Sequence, residues 1–478
     1  MSQGVRMKQN KKNADLFYDR KSFWETASAA EKKAAFQFAE DYKAFLDACK
    51  TERETIFWTR KVLEKDGYVE ILSKKKAPKV FRTYKGKSIA IAVLGKKPIS
   101  EGINIVASHI DAPRIDIKPN PLYEDGATQL SLMKTHYYGG IKKYQWVSTP
   151  LAIHGIVVKA DGSEIHISIG DDEKDPVFLM PDLLPHLARK EQYTKLLPDA
   201  IDAGKMNLLF SSLPDPDKDQ KEKIKSYALK LLNEKYGIRE ADFLSAELEI
   251  VPAGKARDAG MDKSMIMGYG QDDRVCAYTS LKALQDVVKS NSKPEKTLML
   301  LFIDKEEIGS EGNTSANSIF MLDFIGDLLK HNGESPDSYT LRKCLMKSQI
   351  LSSDVAAAVD PNYPGVHDKQ NAALFGYGVA ITKYTGSGGK FGANDANAEF
   401  TARLMHILEE AKVSWQIGEL GKVDEGGGGT IAKYLAEYGA DVIDIGTGVL
   451  GMHSLYELTS KADVYSTYKA YVAFLAKA

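Results

Sequence analysis

Cysteine is scarce. Three residues among 478, Cys49, Cys276 and Cys344, are odd in number and widely scattered. This excludes a disulfide framework, argues against thiolate zinc sites and points to a reducing compartment. An excess of charge is missing as well: 64 Lys and Arg stand against 65 Asp and Glu, a net charge of −1. No global field therefore draws the chain to nucleic acid or to an anionic membrane. Long apolar runs are lacking too. Ser88 to Leu94 and Leu298 to Ile303 are among the longest, far short of the ~20 residues of a membrane span. The charged start lacks the apolar core of a secretory signal, and neither repeats nor low-complexity tracts appear. What is present, 43% hydrophobic and 27% charged residues, suffices to bury a core, so the expectation is a soluble, cytoplasmic, globular protein.

Four short apolar runs have the continuity of strands buried on both faces: Ile103 to Ala107, Leu298 to Ile303, the run around Ile350 to Leu351, and Val442 to Ile445. Each is followed by His, Asp or Glu at once or within a few residues. Helical patterns lie between and before them. Ser28 with Glu31 and Thr51 with Glu54 make capping boxes, Gly67 offers a stop, and Val275, Leu281, Leu284, Val287 and Val288 share a helix face. Strands alternating with helices predict an α/β fold, a doubly wound and mostly parallel sheet whose ligands bind beyond the strands' carboxyl ends. Residues 121–262 read differently. Alternating runs flank Asp161 and Gly162, a two-residue hairpin signal, and Ala246, Leu248 and Ile250 alternate again. We expect an inserted, β-rich second domain at 121–262, between catalytic segments 1–120 and 263–478.

The residues at the strand ends carry the chemistry. Period-two alternation puts His109 and Asp111 on one side of an extended chain, where a carboxylate can fix the imidazole's tautomer. Adjacent Glu306 and Glu307 point in different directions and suit different jobs, one holding a cation while the other holds or deprotonates water. Taken singly, each has a bland alternative. DKEE is a solvated cluster, Asp272 and Asp273 are N-terminal anions of a helix, Asp354 is a cap, and His453 is a loop histidine. Taken together, two histidines and three carboxylates near one sheet edge match two divalent cations, with one Asp shared. Nitrogen and oxygen donors suit zinc, with cobalt or manganese as alternatives, and paired cations activate water and polarise a carbonyl. The glycine run Gly426 to Gly429 lacks the Lys-Ser/Thr ending of a phosphate loop, which excludes nucleotide binding by that motif.

In order, ASHIDAPRIDIKP, GYGQDDR, DKEEIGSEGN, SSDVAAAVDPNY and GMHSLYE closely resemble the M18 metalloaminopeptidases, the aspartyl aminopeptidase family, over nearly the whole chain. The resemblance implies one metal on His109, Asp272 and Asp354 and another on Asp272, Glu307 and His453. It makes Glu306 the general base and Asp111 the partner of His109, and it implies a cis peptide after Asp272. It also implies that His186, in Leu184-Pro185-His186, reaches a neighbouring subunit's site to steady the oxyanion, and that Gly427 and Gly428 lie beside the substrate. A homo-oligomer built from dimers, up to a dodecamer, follows from the same likeness. Members selective for acidic residues carry histidine where Ala357 stands here, while Lys383 keeps the place of a carboxylate-binding cation. The substrates implied are therefore peptides with acidic or neutral first residues. The rivals are a related deacylase or carboxypeptidase, told apart by blocked peptides, and a non-catalytic metal-stabilised scaffold, whose mark would be a lost ligand.

Overall fold

Apolar continuity turns directly into a buried sheet. The computed structural model describes residues 16–73, 75–290 and 293–477; the charged start at 1–15 lies outside them. The strands Thr297–Ile303, Ile103–His109, Gln349–Ser352 and Asp441–Gly446 are neighbours in that order and run parallel. The first three are buried at every position. Side-chain alternation splits them between two cores. Val106, Leu300, Leu351 and Ile443 meet Leu281, Leu284 and Phe474 on one face, whereas Ile105, Met299, Ile350 and Val442 meet Phe324, Leu328 and Leu345 on the other. Helices therefore cover both faces, which is what an all-apolar strand requires.

The complete sheet has nine strands and is mixed, with five of its eight neighbouring pairs parallel and three antiparallel. Ser88–Val93 pairs antiparallel with Thr297–Ile303, and Val379–Thr382 pairs antiparallel with Asp441–Gly446. The reason is local at one edge: Lys79–Tyr84 reaches Ser88–Val93 through a tight turn, so no crossover helix is needed there.

A second sheet of six strands runs in the order Glu164–Ile169, Leu151–Val158, Ala246–Pro252, Arg114–Asp125, Leu130–Tyr138, Leu208–Ser211, with every neighbouring pair antiparallel. It closes its own core of Trp146, Ile153, Leu248 and Phe243. The boundary expected at 121 falls inside the strand that starts at Arg114. At Asp161–Gly162 the hairpin forms, but its loop is longer than two residues: Val158 and Glu164 are the last strand partners, and Lys159 N–H still donates to the Ser163 carbonyl at 2.9 Å. Asp161 accepts from Ser163 N and Oγ at 2.9 and 2.6 Å, a side-chain turn that widens the loop beyond two residues.

Both capping boxes are present, at Ser28 with Glu31 and at Thr51 with Glu54. Gly67, with φ of 81°, ends the helix Glu52–Lys65 in the left-handed conformation. The three cysteines are buried and unpaired. No described helix is long and apolar enough to cross a membrane.

Candidate metal centre

The polar residues that follow the buried strands converge. His109 ends its strand with Nε2 3.1 Å from Asp272 Oδ1 and 3.8 Å from Asp354 Oδ1. The other oxygen of Asp272, Oδ2, lies 3.3 Å from His453 Nε2, which is also 3.4 Å from Glu307 Oε2. Asp272 thus sits between two imidazoles and offers one oxygen to each. It lies at a non-helical kink where the helix Gln271–Lys289 begins, and its peptide bond to Asp273 is cis, as the motif resemblance implies. Asp354 is brought in by a close approach at the neighbouring strand's end: a Cβ on Gly446 would stand 1.9 Å from the Asp354 carbonyl.

Both imidazoles are oriented through Nδ1, so that Nε2 faces Asp272. His109 Nδ1 donates to the Asp111 carbonyl at 3.1 Å, and His453 Nδ1 donates to the Gly140 carbonyl at 3.0 Å. The Asp111 carboxylate does more than face His109 Nδ1 at 3.4 Å. Its oxygens accept the backbone N–H groups of Glu306 and Glu307 at 3.1 and 3.2 Å and the Tyr138 hydroxyl at 2.8 Å. One buried carboxylate therefore positions the first histidine and the glutamate pair together.

The electrostatics show what the cluster lacks. Burial pushes Glu306 up to about 7 and lifts Glu307 and Asp354 well above the usual carboxylate range. Burial alone would discharge the histidines, yet the surrounding carboxylates prevail, raising His453 to about 10 and His109 well above its ordinary value. Asp272 is lowered: burial opposes its charge, but hydrogen bonds from both imidazoles outweigh that. Carboxylates that resist ionising and imidazoles that cling to protons describe a pocket short of positive charge. Glu307 Oε1 and both carboxylate oxygens of Asp273 are buried without a hydrogen-bond partner among the described residues. Ligand atoms of His109, Asp272 and Glu307, and of His109, Asp273 and Asp354, gather within 4.8 Å of one another. These donors are nitrogen and oxygen without thiolate, so the residues fit a zinc-class divalent cation.

A cavity of about 210 Å³ opens over the cluster. His109, Asp272, Glu306, Glu307, Asp354, His453, Gly427 and Gly428 all line it. Gly427–Gly428 pairs antiparallel with Gly386–Ser387 in a two-stranded ribbon; a Cβ on Gly427 would meet the Gly386 carbonyl at 2.4 Å, so only glycine allows this contact. Two further residues of the sequence reading lie elsewhere. Lys383 is not on the cavity wall, and its Nζ pairs with Asp395 Oδ1 at 2.7 Å. His186 is exposed and away from its own chain's cavity.

Two carboxylates that the sequence reading did not single out belong to the site. Glu457, 1% exposed, accepts the backbone N–H of Asp272 on one oxygen at 3.1 Å and that of His453 on the other at 2.9 Å. Asp444 lines the cavity and accepts from Thr430 Oγ1 at 2.8 Å, fastening the glycine run to its strand. The only sequence signal for either was position, inside GMHSLYE and at the end of a buried run.

A mixed α/β fold whose strand ends gather imidazoles and carboxylates able to hold a cation, with a further buried glutamate beside them, fits a metal-dependent hydrolase. The model of the M18 family, described as aminopeptidase I zinc metalloprotease, matches residues 45–475. A probable M18 family aminopeptidase 1 from Clostridium acetobutylicum is 49% identical over 468 residues, 96% of this chain and 99% of that protein. The crystal structure of an M18 aminopeptidase from Thermotoga maritima has a TM-score of 0.91 at 46% identity, covering 97% of this chain and 100% of that one. A yeast aminopeptidase dodecamer shares the fold at 20% identity and a TM-score of 0.74, over 91% of this chain and 96% of that one. The chain belongs to the M18 family and is a metalloaminopeptidase, a hydrolase.

Proposed function

We propose that this aminopeptidase holds two divalent cations and releases single, preferentially neutral N-terminal residues from peptides. The observation that carries the reading is Asp272, whose two oxygens each face a different histidine. His109, Asp272 and Asp354 would hold one ion, and Asp272, Glu307 and His453 the other. Bound there, the ions would supply the acidity to activate water and the field to polarise the scissile carbonyl. Glu306 takes the proton from the attacking water and returns it to the departing amine. A carboxyl lifted to about 7 is matched to both halves of that exchange near neutral pH. Asp111 keeps Glu306 and His109 in register.

The wall beyond the cations supports a neutral first residue. Val355, Ala356, Ala357, Leu420 and Met452 line it, and no lysine or arginine does so among the described residues. Lys383, the expected partner for an acidic side chain, is already paired with Asp395.

The six-stranded sheet, with its separate core, serves as the dimerisation domain, its first strand starting at Arg114. Around His186 the chain exposes apolar side chains, among them Leu184, Leu187, Leu196 and Leu197. Such a patch on a protein with a balanced surface fits a second copy of the chain, which would carry His186 toward its neighbour's oxyanion. Dimers are the unit of a larger assembly, for which the yeast dodecamer is the pattern.

Glu306→Gln tests the mechanism: metal content and melting temperature should hold while turnover falls about 10²- to 10⁴-fold. Near-normal turnover would remove Glu306 from its role. Peptides with blocked amines separate this activity from a deacylase or carboxypeptidase, since an aminopeptidase leaves them uncut.

A further inference from the structure

The glycine ribbon divides the space above Glu306 and Glu307 in two. On one side lies the apolar cavity just described. On the other a more open cavity of about 390 Å³ shares Glu306, Glu307 and Gly427 to Thr430 with it and adds Ser387, Phe391, Lys433 and Tyr434. Lys433 is the single lysine or arginine on this second wall, and it makes no ion pair among the described residues. Its place is fixed from below. The Tyr434 hydroxyl donates to the Gly309 carbonyl at 2.9 Å, joining the short helix Ala432–Ala436 to the turn after Glu306–Ile308. Lys433 Nζ stands 5.1 Å from the Tyr434 ring centroid. Phe391, 77% exposed, offers an apolar face opposite.

We propose that this second cavity is the subsite for the peptide beyond the scissile bond, and that Lys433 receives the free C-terminal carboxylate of a short peptide. The inference rests on the aminopeptidase reading. If the first residue occupies the apolar cavity and its carbonyl faces Glu306, the rest of the substrate leaves on the other side of the ribbon. A peptide chain advances about 3.3–3.6 Å per residue, so the carboxylate of a dipeptide or tripeptide ends within this cavity. Lys433 is the one cationic side chain on that wall to meet the carboxylate. A half-buried ammonium meeting a carboxylate gives a charge-assisted hydrogen bond that an amide or an aryl leaving group cannot match.

The test compares leucyl dipeptides and tripeptides with their C-terminal amides on the metal-loaded enzyme. The wild-type protein should favour the free acids by about tenfold in kcat/KM, mostly through KM. Lys433→Gln should erase the preference while leaving the amides unchanged, Lys433→Arg should keep it, and Lys433→Glu should turn it in favour of the amides. Equal use of acids and amides by the wild-type enzyme, or an equal loss on both in Lys433→Gln, would overturn the subsite. Failure to release leucine from any free-amine substrate would instead overturn the reading on which it rests.

Discussion

Glu457 shows how a residue can brace a candidate metal centre through backbone groups alone. Its two oxygens take the backbone N–H groups of Asp272 and His453, so one carboxylate sets the spacing between loops 185 and 4 positions away from it. Burial and the nearby Asp272 charge push it up to about 8. Glu457→Gln keeps the volume but turns one acceptor into a donor aimed at a backbone N–H. We expect cation affinity to fall about 10- to 100-fold, read by competition with a chromogenic chelator, while the melting temperature in excess chelator changes little. A drop in that temperature with unchanged affinity would make Glu457 a purely structural residue. His109 and Asp111 were legible in sequence because they lie two residues apart where a buried strand ends. Glu457 was not, because its partners are backbone groups of separate loops and carry no residue signature.

Elements join through charge as well as through apolar packing. His154, in the strand Leu151–Val158, lies between helix Glu52–Lys65 and the loop after Glu164–Ile169. Its Nδ1 is 2.8 Å from Glu54 Oε1, and Nε2 is 2.9 Å from Asp171 Oδ2. Burial opposes the imidazolium, but the two carboxylates win and raise His154 to about 9. Lys50 shares Asp171. Since the folded value exceeds the unfolded ~6.5, this stabilisation is complete below pH ~6.5 and fades as pH rises through about 9. Its ceiling is about 3 kcal/mol. Denaturant midpoints for the wild type should therefore decline over that interval more than those of His154→Gln, and parallel curves would discount the link. At this scale the sequence was readable where patterning is strong, in the four continuous strands and both capping boxes. It misled where pairing direction depends on distant partners: the edges that make the sheet mixed carry no mark of polarity, and the Asp161 side chain enlarged a turn that the dipeptide alone would have made tight.

The whole molecule places exposed leucines and His186 on one segment of the six-stranded sheet's domain. If that segment joins subunits, Leu187→Asp with Leu196→Asp should shift the mass seen by light scattering toward the monomer and lower activity together. His186→Ala should retain the assembly and lower kcat by about 10²-fold, the loss typical of one oxyanion donor. An assembled and fully active His186→Ala protein would end that role. Sequence pattern could suggest this surface only through motif likeness, because exposure is a property of the folded chain.

The candidate ligands and their braces are spread from His109 to Glu457. During synthesis the ribosome delivers the first imidazole some three hundred and fifty residues before the second. A nascent or truncated polypeptide thus owns only part of the cation cage and none of its final geometry. A site assembled in this way is complete only when the last strands dock.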